Sequence, residues 1–112
     1  MEHLVIVRGG GDSATATIYR LVRSGFPVLV LETEAPSAIR RKVAFSEAVY
    51  EGKSVVEGME CLLVKSLSEA YAVMNSGKPA MMVDKDCKVL EEVSPFAVVD
   101  GILAKKNLGT NR

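Results

Sequence analysis

The chain has 112 residues, 48% of them hydrophobic and 25% charged, which suits one globular domain spanning residues 1–112 and excludes both a disordered chain and a two-domain protein. Its 14 basic and 14 acidic residues cancel, so no whole-molecule field draws in nucleic acid or a membrane surface, and any basic site has to be local. No run nears the roughly 20 apolar residues of a membrane span, and Met1-Glu2-His3-Leu4 lacks the features of a secretory leader. The expectation is a cytoplasmic protein with Cys61 and Cys87 reduced. With His3 the single histidine and no close cysteine pair, no zinc site is read.

In chain order, Leu4–Val7 is a short apolar run closed by Arg8 and three glycines, the pattern of a buried strand. The pattern then turns helical, with Ala14, Ile18, Leu21 and Val22 on one face and Arg20 and Arg23 on another. Asp12 or Ser13 suits the first-turn cap and Gly25 the stop. Pro27–Leu31, closed by Glu32, reads as a second buried strand, parallel to the first.

Glu34–Val49 is mixed. Pro36 suits a first helical position, Ala38–Val43 a short helix carrying Arg40, Arg41 and Lys42, and Phe45–Tyr50 a further turn ending at Gly52. Val55–Met59 resembles a small extended segment or hairpin around Glu57-Gly58, and Cys61–Val64 is short, apolar and extended. Leu67–Ser76 is helical by spacing, with Leu67, Ala70, Tyr71 and Met74 on one face and Gly77 as its stop. Pro79–Val83 and Phe96–Val99 read as a third and a fourth buried strand, separated by a polar surface hairpin or loop at Lys85–Glu92. Lys105–Arg112 is a polar tail.

These elements predict an α/β Rossmann-like three-layer domain with a mostly parallel sheet of about four strands. The four strands end in polar residues: Arg8, Glu32, Asp84 and Asp100. In a parallel sheet the carboxyl ends share one edge, and ligands bind outside it, so these four side chains would line one site. The alternative is that charged residues mark where any strand leaves the core.

Gly9-Gly10-Gly11-Asp12-Ser13-Ala14 has the spacing G-x-G-x-x-A between a strand and a helix. Gly9 permits the tight turn, Gly11 lets backbone approach a diphosphate, and Ala14 keeps the helix close to the sheet. The amides at the helix start then face the anion. Glu32, about 20 residues on, stands where an acid binds a ribose diol. Asp12 would repel a phosphate unless turned away as a cap, and Arg8 offsets that charge. Arg40 and Arg41 fit either a phosphate clamp or a solvated helix face. The candidate binding residues are thus Arg8, Gly9, Gly10, Gly11, Asp12, Ser13, Glu32, Arg40, Arg41 and Asp100. No catalytic pairing of Ser, His, Cys and Asp is evident, and Lys85 and Lys88 are the basic neighbours of Cys87.

Val5-Ile6-Val7-Arg8-Gly9-Gly10-Gly11-Asp12 with Ala14-Thr15, and Ala38-Ile39-Arg40-Arg41 through Phe45-Ser46-Glu47-Ala48-Val49-Tyr50-Glu51-Gly52, carry a family resemblance. Val55-Val56-Glu57-Gly58 and Val98-Val99-Asp100-Gly101-Ile102-Leu103-Ala104-Lys105-Lys106-Asn107-Leu108-Gly109-Thr110 extend it. In these motifs the chain resembles the YqeB-like selenium-dependent molybdenum hydroxylase system proteins, related in function to the XdhC/CoxI accessory factors. Family members continue well beyond the Asn-Leu-Gly-Thr motif, so the resemblance implies an N-terminal fragment, a split gene product or a truncated form of a longer protein. Ser13 departs from the family, standing where a bulkier apolar residue is expected.

The resemblance implies an accessory role in maturing a molybdenum hydroxylase, the expected partner, with a nucleotide or a molybdopterin-type nucleotide cofactor as ligand. Two other readings stand beside it: a fragment of an NAD(P)- or ATP-dependent enzyme, and an interaction scaffold without a ligand. A homo-oligomer is expected, and neither nucleic acid nor membrane is an expected partner.

Overall fold

The computed structural model describes residues 3–9, 12–32, 48–84 and 87–100. Six strands, three helices and one 3-10 turn follow one another along them. Strand β1 (Val5–Arg8) leads to helix α1 (Asp12–Arg23) and strand β2 (Val28–Glu32). The one-turn helix α2 (Ala48–Glu51) precedes strands β3 (Lys53–Val56) and β4 (Met59–Val64). Helix α3 (Leu67–Asn75), strand β5 (Ala80–Val83), the 3-10 turn Lys88–Glu91 and strand β6 (Ala97–Asp100) complete the order.

The strands form one sheet in the order β3-β4-β5-β2-β1-β6. β3 and β4 pair antiparallel, and β4-β5-β2-β1-β6 are parallel throughout. The architecture is therefore a six-stranded mixed sheet. It corrects the expected Rossmann-like three-layer domain with a mostly parallel sheet of about four strands. The physical reason lies in the hairpin. Glu57 and Gly58, both at positive φ (51° and 82°), turn the chain as the Glu-Gly pair predicts. The second arm then docks beside β5, with Leu62 level with Ala80 and Val64 level with Met82, so the hairpin widens the sheet.

Strand alternation sorts the apolar side chains into two cores. On one face Val5, Val7, Val28, Val30, Cys61 and Met81 pack with Ala14 and Ile18 of α1 and Ala48 of α2. On the other, Leu4, Ile6, Leu29, Leu31 and Ala80 pack with Ala70 and Met74 of α3 and Val89 of the 3-10 turn. Every residue of β2 is buried, which explains why its sequence reads as a continuous apolar run. Ile6, Ile18, Leu29 and Met81 are fully buried, and each contributes about 1.5–3 kcal/mol by leaving water.

The helix ends follow their local chemistry. Ser66 caps α3 by accepting the Glu69 N–H at 3.3 Å, while the Glu69 carboxylate accepts the Lys65 N–H at 2.8 Å. Gly25 at φ 97° and Gly77 at φ 89° lie just past α1 and α3, where left-handed backbone favours glycine. The segment read as a surface hairpin or loop at Lys85–Glu92 holds the 3-10 turn instead, entered by Cys87 at φ 54°.

Candidate functional site

β1 has β2 on one side and β6 on the other, so the strand order turns about it. In open α/β sheets the crevice outside the carboxyl ends at such a point is where ligands bind. Arg8, the last residue of β1, is level with Leu31 of β2 and with Asp100 of β6. The next residue, Gly9, is buried, has φ 93°, and donates its N–H to the Leu31 carbonyl at 2.8 Å. A backbone conformation open mainly to glycine therefore stands at the exit of β1, and α1 begins three residues later at Asp12.

Asp12 and Ser13 are the first two residues of α1. Ala14 and Thr15 after them are buried, with Ala14 in the core beside Val5, Val7, Val28 and Val30. The small side chain at position 14 thus lets α1 lie close on the sheet, as its place in the glycine pattern suggests. Gly10, Gly11, Arg40 and Arg41 lie outside the described residues, as do the helix read at Ala38–Val43 and the polar tail.

The four strand-ending residues come to one edge, but the side chains of Arg8, Glu32 and Asp84 do not form one lining. Glu32 is buried and follows Val28 and Val30 in alternation, on the α1 side of the sheet. Arg8 follows Leu4 and Ile6, on the α3 side, and is half-buried. Asp84 donates its N–H to the Glu32 carbonyl at 2.9 Å, tying β5 to β2. Its carboxylate turns away, with Oδ1 accepting the Lys88 N–H and Oδ2 the Val89 N–H, both at 2.9 Å. Asp84 holds the 3-10 turn, which corrects the expectation that it lines the edge. Arg8, Gly9, Glu32 and the backbone of Asp100 remain at this edge, with Arg8 and Glu32 on opposite faces of the sheet.

A second region, which the sequence did not single out, lies at the opposite end of the strands. A groove of about 390 Å³ runs between Tyr19 and Arg23 of α1, the Glu57-Gly58 turn with Glu60, and Ser76–Lys78 after α3. Beside it a depression of about 330 Å³ is lined by Val22, Phe26, Pro27, Met74 and Lys78, among others. Arg23 donates to the Tyr19 hydroxyl at 2.8 Å and lies over that ring at 5.6 Å, the i,i+4 spacing being the sequence signal. Glu60 accepts from Lys78 at 2.9 Å and pairs with Lys53 at 3.4 Å. The hydrogen bond from Lys78, then that from Lys53, holds the Glu60 carboxyl below its ordinary value. Lys53 is exposed and Glu60 and Lys78 are half-buried, so this surface triad is of small energetic weight.

Burial pushes the Cys61 thiol up to about 12, so this cysteine is a core residue and no nucleophile. Among the described residues no three of His, Cys, Asp and Glu converge as a metal-binding set. Among them, too, no helix is long and apolar enough to cross a membrane.

No family model matches the chain. No solved structure matches it either. The chain is 47% identical over 109 residues to the uncharacterized protein YqeB of Escherichia coli (strain K12). That alignment takes in 97% of this chain and 20% of the relative, so the chain spans about a fifth of the relative's length. Over nearly its whole length, the chain is similar to part of that protein.

Proposed function

We propose that this domain holds a nucleotide, or a nucleotide-bearing molybdopterin-type cofactor, at the turn between β1 and α1, as an accessory factor in maturing a selenium-dependent molybdenum hydroxylase. The observation that carries the reading is Gly9, buried at φ 93° at the carboxyl edge of the parallel strands and flanked by β2 and β6. There the chain leaves the sheet for a helix start, the arrangement that presents backbone N–H groups to a phosphate. Arg8 supplies a cation at the same edge, and Glu32 an acid at the end of the neighbouring strand, in keeping with a ligand that carries both phosphate and ribose. The hydroxylase role rests on the family resemblance of the sequence motifs, and the binding role on the edge geometry.

The test is calorimetric titration of the 112-residue chain with NAD, NADP, ATP, CTP and the molybdopterin nucleotides. Saturable binding of a nucleotide-bearing ligand is expected, abolished by Gly11→Val with the far-UV spectrum and melting curve retained. Equal affinity in that variant, or no binding across the series, removes the proposal.

A further inference from the structure

We propose that the outer edge of β6, unpaired among the described residues, pairs with the same edge of a second copy of this chain, joining two sheets antiparallel about a two-fold axis at Val98. The inference begins with the main chain. The Phe96 N–H donates to the Leu4 carbonyl at 2.7 Å, and the β1–β6 register sets Val5 level with Ala97 and Ile6 level with Val98. Backbone groups alternate sideways along a strand, so Phe96 and Val98 direct their N–H and C=O toward β1. Ala97 and Val99 direct theirs away from the sheet. Among the described residues β6 is the last strand on that side. A second β6 running the opposite way offers the same two donors and two acceptors at the same spacing. Ala97 of each copy then meets Val99 of the other through four hydrogen bonds.

The side chains agree with the main chain. Phe96 is 63% and Val98 46% exposed, and Val98, alternating with Val99 of the α1 side, stands on the face that α3 covers further in. Phe96 stacks on Phe26 at 6.2 Å, and His3 stands edge-on to it at 5.1 Å, so its ring is held in place while still facing water. Pairing at Val98 sets the two Val98 residues against each other and places Phe96 of each copy level with position 100 of the other. The far edge differs. Val55 is also exposed on β3, but it lies between Lys53, ion-paired to Glu60, and Glu57, the charged flanks that guard an edge strand. A symmetric dimer follows because the edge is its own complement.

Sedimentation equilibrium of the 112-residue chain from low micromolar to millimolar concentration tests this. A reversible monomer–dimer equilibrium is expected, with Val98→Lys raising the dissociation constant about tenfold or more and Val55→Lys leaving it unchanged. A monomer at every concentration, open-ended polymers, a dimer indifferent to Val98→Lys, or one lost in Val55→Lys overturns the proposal. Amide exchange gives a second readout that needs no variant: the Ala97 and Val99 amides slow as the concentration rises. Concentration-independent exchange at both positions counts against it equally.

Discussion

Gly9 donates its N–H to the carbonyl of Leu31 at 2.8 Å, one residue past the point where Arg8 and Leu31 stand level. The bond carries the β1–β2 pairing beyond the strand while φ of 93° turns the chain toward α1. Gly9→Ala retains the N–H but places a Cβ in left-handed backbone. The expected loss is about 1–3 kcal/mol of stability, read as a lower urea midpoint with an unchanged slope. An unaltered midpoint would show that the turn relaxes at no cost.

Asp84→Ala removes both acceptors from the Lys88 and Val89 amides. By analogy with helix caps, about 1–2 kcal/mol of stability should be lost, and the 3-10 turn should exchange its amides faster. Nucleotide affinity at the β1–α1 turn should not move, because the Asp84 carboxylate points to the 3-10 turn. A selective loss of affinity at full stability would return Asp84 to the site.

Glu32→Gln tests the ribose assignment. The variant should weaken nucleotides several-fold and leave inorganic phosphate unchanged in calorimetric titration, since the acid is expected at the diol. Equal weakening of both ligands would place Glu32 in the general packing of the edge.

The two thiols should behave differently. In the native chain a thiol reagent should modify half-buried Cys87 and spare Cys61, which is buried and fully protonated at neutral pH. Peptide mapping after brief labelling checks this. Because the folded chain keeps the Cys61 proton after the unfolded chain has lost it, folding binds a proton above the ordinary thiol value. This contribution to stability is complete below about pH 8.5 and declines as pH rises toward about 12. Cys61→Ala should flatten the alkaline decline in urea midpoint, and an identical profile in that variant would assign the decline to other groups.

How far the sequence foretold the fold depends on where each segment's partners lie. β1 and β2 were legible as apolar runs because most of their residues are screened on both faces, and β5 and β6 from their apolar runs although Val83 and Val98 are exposed. The Glu57-Gly58 turn announced a hairpin through local backbone preference alone. Its place in the sheet was hidden, because nothing in Met59–Val64 specifies that Leu62 will stand level with Ala80. That register comes from burying Val64 and Cys61 on opposite faces, on the sides of α3 and α2 respectively. At the edge, the polar residue closing each strand was readable and its side-chain direction was not. Asp84 turns back because the next amides, at Lys88 and Val89, come within reach once the chain bends at Cys87. Glu32 and Arg8 fall on opposite faces through strand alternation from different starting residues.

The pairing of β1 with β6 has a consequence for how the chain is made. Val5 lies level with Ala97, so β1 finds its second neighbour only after the chain as far as Ala97 has been synthesised. Until then Val5–Arg8 has one side closed by β2 and the other open, and an unpaired strand flank is where nascent chains catch on one another. Contacts so distant along the chain also slow folding, because a long loop must close before any stabilisation is returned. Ribosome profiling combined with limited proteolysis of stalled chains should therefore show protease resistance arriving late, after Asp100 has cleared the exit tunnel.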